Sequence, residues 1–128
     1  MTRILIADDS SQVRHALRNL VEQDADWKVC GEANNGGEAV QRTMETHPDL
    51  VVLDFQMPVM NGLQVAREIA KFAPDVLVLL CTAHLSLYLI DQAQRAGIRG
   101  AVSKSRARDI VDGIRALLRH ESFFCQPA

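Results

Sequence analysis

The stretch Leu50-Val51-Val52-Leu53-Asp54-Phe55-Gln56-Met57-Pro58-Val59-Met60-Asn61-Gly62 decides the fold. Four apolar residues in a row, two of them β-branched, make a strand buried on both faces, because a strand with one wet face would alternate. The run stops at a carboxylate. A proline-containing loop follows, and Asn61-Gly62 leads into a segment with Leu63, Ala66, Ile69 and Ala70 spaced for one helical face, ended near Pro74. A doubly buried strand, a charged end and a helix are the unit of a parallel sheet covered by helices.

The same unit recurs outward in both directions. Upstream, Ile4-Leu5-Ile6-Ala7 is a short strand followed by Asp8-Asp9. Ser10 or Ser11 can cap a helix carrying Val13, Leu17, Leu20 and Val21. Residues Trp27 to Ala33 read as a second strand and Asn34 to Gly37 as a turn; Ala39, Val40 and Met44 mark a second helix that Pro48 halts. Downstream, Val76 to Cys81 is an apolar fourth strand, Leu85 to Ala96 a fourth helix with Gly97 at its C′ position, and Gly100 to Ser103 a fifth strand. Ala107, Ile110, Val111, Ile114, Leu117 and Leu118 keep helical spacing throughout the last helix. Five βα units with right-handed crossovers predict a flavodoxin-like, doubly wound parallel α/β sheet, (βα)5, in strand order 2-1-3-4-5.

Bulk properties agree and exclude several classes. The 128 residues suit one domain, expected over 1–120, with 121–128 as a C-terminal tail or the start of a linker. Apolar residues are 48 % and charged residues 23 %, as in soluble globular proteins. The formal charge of 14 − 16 = −2 carries no basic excess of the kind nucleic-acid binding needs. Cys30, Cys81 and Cys125 are an odd, widely spaced set; the first two lie in apolar runs and read as small buried hydrophobes of a reducing, cytoplasmic setting. No apolar run approaches the ~20 residues of a membrane span.

In such a sheet the ligand crevice lies beyond the carboxyl ends of the strands, where strand order reverses. Asp8-Asp9 end the first strand and Asp54 the third; Thr82 follows the fourth, and Ser103-Lys104 the fifth. Two like charges ~4 Å apart cost about 4 kcal/mol at an effective dielectric of 20, so three clustered carboxylates need a positive partner. An all-oxygen donor set favours a hard cation such as Mg²⁺. Together with Lys104 and the Thr82 hydroxyl, that arrangement suits a transferred phosphoryl group. Taken alone, Asp8-Asp9 reads equally well as a negative cap on the first helix.

These four stretches, above all the D-x-x-M-P-x-M-x-G run from Asp54 to Gly62, resemble the response-regulator receiver family over essentially the whole chain. The resemblance implies that Asp54 accepts a phosphoryl group from a sensor histidine kinase. It further implies Mg²⁺ bound by Asp9, Asp54 and the Gln56 carbonyl, with Asp8 acting through water. Thr82 and Lys104 would contact the phosphoryl oxygens. Gln56 and His84 would tune dephosphorylation, and the first and last helices would offer a homodimer surface.

Two positions depart from that pattern. Ala101 stands where many receivers carry Tyr or Phe, with Tyr88 as the candidate replacement against its plain reading as a surface or core side chain. Ser105 stands where Pro is frequent, so the Lys104–Ser105 bond is expected trans. The run from Gly97 to Ser105 resembles the NarL/FixJ type, which implies DNA-binding transcription regulation by a LuxR-type helix-turn-helix outside this chain. A stand-alone receiver acting through protein binding is the alternative. A Mg²⁺-dependent phosphatase of the haloacid-dehalogenase type is disfavoured: that type has a D-x-D signature on the first strand plus a cap domain, whereas here the pair Asp8-Asp9 is adjacent and no cap insertion fits within 128 residues. So is a receiver-like decoy, since every acidic residue, Thr82 and Lys104 are present.

Overall fold

The computed structural model describes residues 1–127. Its elements in chain order are β1 (Thr2–Ala7), α1 (Ser11–Val21), β2 (Trp27–Ala33), α2 (Gly36–Thr46), β3 (Leu50–Leu53), α3 (Gly62–Phe72), β4 (Leu77–Thr82), α4 (Leu87–Arg95), β5 (Gly100–Ser103), α5 (Ala107–Leu118) and β6 (Phe123–Phe124). The strands form one sheet in the order β2-β1-β3-β4-β5-β6, every neighbouring pair parallel. The flavodoxin-like α/β arrangement is therefore as expected, with one strand added.

Why the central strands are apolar without a break is visible in the packing. Leu5, Ala7, Val51, Leu53, Val78, Leu80 and Ala101 point into a core layer shared with Ala39 of α2, Leu63, Ala66 and Ile69 of α3, and Leu89 and Ala93 of α4. The alternate residues Ile4, Ile6, Leu50, Val52, Leu79, Cys81 and Val102 face Leu17 and Val21 of α1 and Ile110, Ile114 and Leu117 of α5. Period-2 alternation thus feeds two dry layers instead of one. Each fully buried Leu or Ile contributes about 2–3 kcal/mol of burial.

The helices start where polar side chains can satisfy free N–H groups. Ser10 Oγ accepts from the Val13 N–H and Asn35 Oδ1 from the Glu38 N–H, so α2 begins inside the segment expected to be a turn. Asn61 and Gln64 form a reciprocal capping box on α3. On α4 the Ser86 hydroxyl takes the Leu89 N–H, which moves the start from Leu85 to Leu87. That helix ends in a Schellman arrangement: Ile98 N–H to Ala93 O at 3.0 Å and Gly97 N–H to Gln94 O at 3.1 Å, with Gly97 at φ 84°.

Some outward-facing residues differ from the periodic reading. Met44 is half exposed, and Ala70 and Ala107 face solvent, because the core-facing stripe of each helix is narrower than its run of apolar residues. Cys81 is buried as expected, whereas Cys30 is only partly so. The largest difference is at the end of the chain. Phe123 and Phe124, expected in a tail or linker, form β6: the Phe123 N–H donates to Arg99 O at 2.9 Å and the Cys125 N–H to Ala101 O at 3.0 Å. Phe123 packs on the α5 side of the sheet and Phe124 on the α4 side, so burial on both faces holds the strand. Ala128 lies outside the described residues.

Candidate functional site

The site forms where β1, β3, β4 and β5 end together. The Asp8 N–H donates to Ala33 O and the Asp54 N–H to Ala7 O, both at 3.0 Å, which extends the ladder one residue past each strand and fixes both carboxylates at the same level. Asp8, Asp54 and Thr82 are among the few buried polar residues, at 1 %, 4 % and 2 % exposure. Asp9 is exposed at the rim. One carboxylate oxygen from each of Asp8, Asp9 and Asp54 lies within 4.8 Å of the other two.

Lys104 reaches this group from the far side. Its Nζ lies 2.6 Å from Asp8 Oδ2 and 3.0 Å from Asp54 Oδ2. Backbone geometry aims it there: the Lys104 N–H donates to Thr82 O at 2.9 Å, and Thr82 stands in register with Ser103. Asp8 Oδ1 accepts the Ser10 N–H at 2.9 Å, while the buried Oδ2 faces the Lys104 ammonium at 2.6 Å. Two buried carboxylates thus share one ammonium, which leaves the group short of positive charge.

Electrostatics follow from that shortage. Burial pushes the Asp54 carboxyl above its ordinary range, with Asp8 adding to the effect and Lys104 and the Gln56 N–H opposing it. For Lys104 burial works toward a lower value, but Asp8 and Asp54 together outweigh it and hold the ammonium above its ordinary range. Three carboxylates against one ammonium leave a local excess of two negative charges. Oxygen-only donors, an exposed rim carboxylate and a local excess of negative charge fit a hard divalent cation held by Asp8, Asp9 and Asp54.

The loop after Asp54 is packed tightly enough to fix the floor of the site. A Cβ on Gly62 would fall 2.6 Å from Asp54 O, so only glycine permits this approach of α3 to β3. Pro58 O accepts from both the Met60 N–H (2.9 Å) and the Gly36 N–H (3.1 Å) and so ties the loop to α2. Between them Val59 adopts φ 76°, a left-handed conformation rarely held by a β-branched residue.

The sequence of residues 4–115 matches the pattern of the response regulator receiver domain. The chain belongs to this family. The Thermotoga maritima chemotaxis protein CheY is 36 % identical to the receiver over 102 residues, spanning 80 % of this chain and 84 % of CheY. The Staphylococcus aureus response regulator VraR is 32 % identical over 123 residues, 95 % of this chain but 59 % of VraR. Among solved structures, a LuxR-family two-component response regulator from an Aurantimonas species superposes with a TM-score of 0.92 at 33 % identity, covering 96 % of this chain and 89 % of that one. These similarities are consistent with a NarL/FixJ-type regulator, and the receiver is a signalling domain of two-component systems rather than an enzyme in the ordinary sense.

Of the residues singled out in the sequence, Asp8, Asp9, Asp54 and Lys104 converge. Thr82 borders them at the end of β4. Gln56 is exposed beside Asp54 and gives it its backbone N–H. His84 is exposed and lines, with Ser103, Ser105 and Cys125, a separate cavity of about 310 Å³ beside the β4–α4 loop. Tyr88 is 75 % exposed and does not pack where the ring missing at Ala101 would lie; Phe124 instead stands in register with Ala101, on the same core layer. Among the described residues no peptide bond is cis, so Lys104–Ser105 is trans, and no helix is long and apolar enough to cross a membrane.

Sequence reasoning missed Arg14 and Glu32. The Arg14 guanidinium donates to Asp8 O at 2.8 Å and to Glu32 Oε1 at 3.0 Å, while Arg18 holds the other oxygen of Glu32 at 2.8 Å. Burial would raise the Glu32 carboxyl, but the two arginines outweigh it and hold it below its ordinary range. The available signal was an arginine early in α1, whose first turn has no acid and whose dipole disfavours a cation.

Proposed function

We propose that Asp54 is the phosphoryl acceptor of this receiver and that a sensor histidine kinase supplies the group. The arrangement of Asp54 carries the reading: a buried carboxylate with a raised pKa, in contact with Lys104 and clustered with two further carboxylates. Its basicity favours attack. An Asp54 carboxylate oxygen forms the new bond to phosphorus as the bond from phosphorus to the donor histidine nitrogen breaks, and the electron pair leaves with that nitrogen.

Lys104 would pair with a phosphoryl oxygen, and Thr82, at the end of the neighbouring strand, would offer its hydroxyl to another. Asp8, Asp9 and Asp54, with the Gln56 carbonyl, would hold Mg²⁺, which when bound neutralises charge on the transferred group. Hydrolysis of the acyl phosphate by the domain itself ends the signal, with Gln56 and His84 setting its rate. We read the output as DNA binding by a domain outside these 128 residues, acting from the cytoplasm. The support is the 95 % span shared with VraR and the likeness, at 28 % identity and a TM-score of 0.83, to a DNA-binding response regulator of the LuxR family from Staphylococcus aureus.

The test is incubation with Mg²⁺ and a small acyl-phosphate donor, followed by intact mass. One phosphoryl adduct, absent in Asp54→Asn, is expected; multiple turnover without an adduct would indicate a phosphatase, and no reaction a decoy. Substituting Gln56 or His84 is expected to change the adduct's lifetime while leaving its formation intact. Unchanged decay in both variants would refute that assignment.

A further inference from the structure

Arg14 lies outside the acidic cluster, yet it grips the backbone that aims one of its members. We propose that Arg14, braced by Glu32, is a positioning residue for cation binding: it sets the direction of Asp9 by holding the Asp8 carbonyl. This rests on the reading of Asp8, Asp9 and Asp54 as a cation site.

Every polar group of Asp8 is anchored from a different place. The N–H goes to Ala33 O (3.0 Å), Oδ1 takes the Ser10 N–H (2.9 Å), Oδ2 faces Lys104 (2.6 Å), and the carbonyl takes Arg14 Nη1 (2.8 Å). That carbonyl shares a rigid plane with the N–H and Cα of Asp9. Fixing its direction therefore fixes where Asp9 begins. Asp9 needs such help, because it is the exposed member of the cluster and no protein donor to its carboxylate is found among the described residues.

Arg14 is built for the task. Its side chain is only 17 % exposed, and its Nε is locked on Glu32, a residue of β2 that Arg18 also holds. Glu32 in turn stands opposite Ile6 in the β1–β2 register, so the brace is tied to the strand that carries Asp8. A guanidinium can bridge two acceptors in fixed geometry; an ammonium is a single point.

The sign of the effect separates positioning from simple charge. Removing a cation near three carboxylates should, by Coulomb attraction alone, tighten Mg²⁺ binding. Loss of positioning should weaken it. Mg²⁺ affinity is measured by titration calorimetry on the wild-type chain, Arg14→Met and Arg14→Lys, with thermal unfolding in EDTA alongside. Arg14→Met keeps much of the stem, and Arg14→Lys keeps the charge. We expect both to bind Mg²⁺ roughly tenfold more weakly, the usual range for loss of a group that orients a metal ligand. Binding by Arg14→Met as tight as wild type or tighter, or by Arg14→Lys within twofold of it, overturns the assignment whatever happens to the melting temperature. A wild-type chain that binds no Mg²⁺ overturns the cation site itself, and this inference with it.

Discussion

Two charge clusters sit a few residues apart and are built in opposite ways. In the first, Glu32 is shared by Arg14 and Arg18 at 3.0 and 2.8 Å, one carboxylate with two guanidiniums. In the second, Asp8 and Asp54 share Lys104 at 2.6 and 3.0 Å, with Asp9 beside them. The first is over-supplied with positive charge, and its carboxyl is held below the ordinary range. The second is under-supplied, and burial lifts Asp54 above the ordinary range. A structural ion cluster satisfies its own charge, whereas a binding site leaves a deficit for the ligand to fill.

The sharpest way to break this contrast is Asp54→Asn, which is expected to abolish the phosphoryl adduct outright, while Glu32→Gln still forms it. Next in size is Lys104→Ala. Removing the lone cation from beside two buried carboxylates should cost about 3 kcal/mol in EDTA, measured by urea unfolding. The deficit also predicts that Mg²⁺ stabilises the wild type, by about 2.7 kcal/mol at a hundredfold excess over its dissociation constant. A melting temperature indifferent to Mg²⁺ would place the two clusters in one class.

The smallest effect is on pH dependence, where the two clusters have opposite signs. Glu32 is depressed below its ordinary 4.5, so its contribution is present above that pH and is lost as pH falls through the lower folded value. At 30 % side-chain exposure this amounts to about 0.5–1 kcal/mol. Asp54 is raised above 3.8, so its protonated form favours the fold in acid and its burial costs stability as pH rises through the folded value. Stability measured across the acid limb should therefore fall less steeply in Glu32→Gln and more steeply in Asp54→Asn. Parallel slopes would contradict the assignment.

How much of this could be read without coordinates depends on the kind of interaction. A strand such as Leu50–Leu53 announces itself, since burial on both faces requires an unbroken apolar run. The convergence of Asp8, Asp54 and Lys104 was legible as well, because topology alone brings the ends of β1, β3 and β5 together. Arg14 was not, for its role depends on a guanidinium meeting a backbone carbonyl, which no spacing encodes. Nor was β6: two phenylalanines are too few to show a period, and their strand exists only because β5 supplies the partner. The start of α4 moved because a hydroxyl at Ser86 outweighed the apolar Leu85.

The added strand also has a consequence for how molecules of this protein meet at high concentration. Without it β5 would present a row of free backbone donors and acceptors to solvent, a template on which another chain could build. Phe123 and Cys125 spend their N–H groups on Arg99 and Ala101 and so occupy that template from within. The opposite border, β2, is guarded differently, by the exposed charge of Lys28, by Glu32 and by a register shift between Ile4 and Leu5. One margin of the sheet is thus protected by charge and irregularity, the other by a plug two residues long, and the plug is the guard that a single cut could remove.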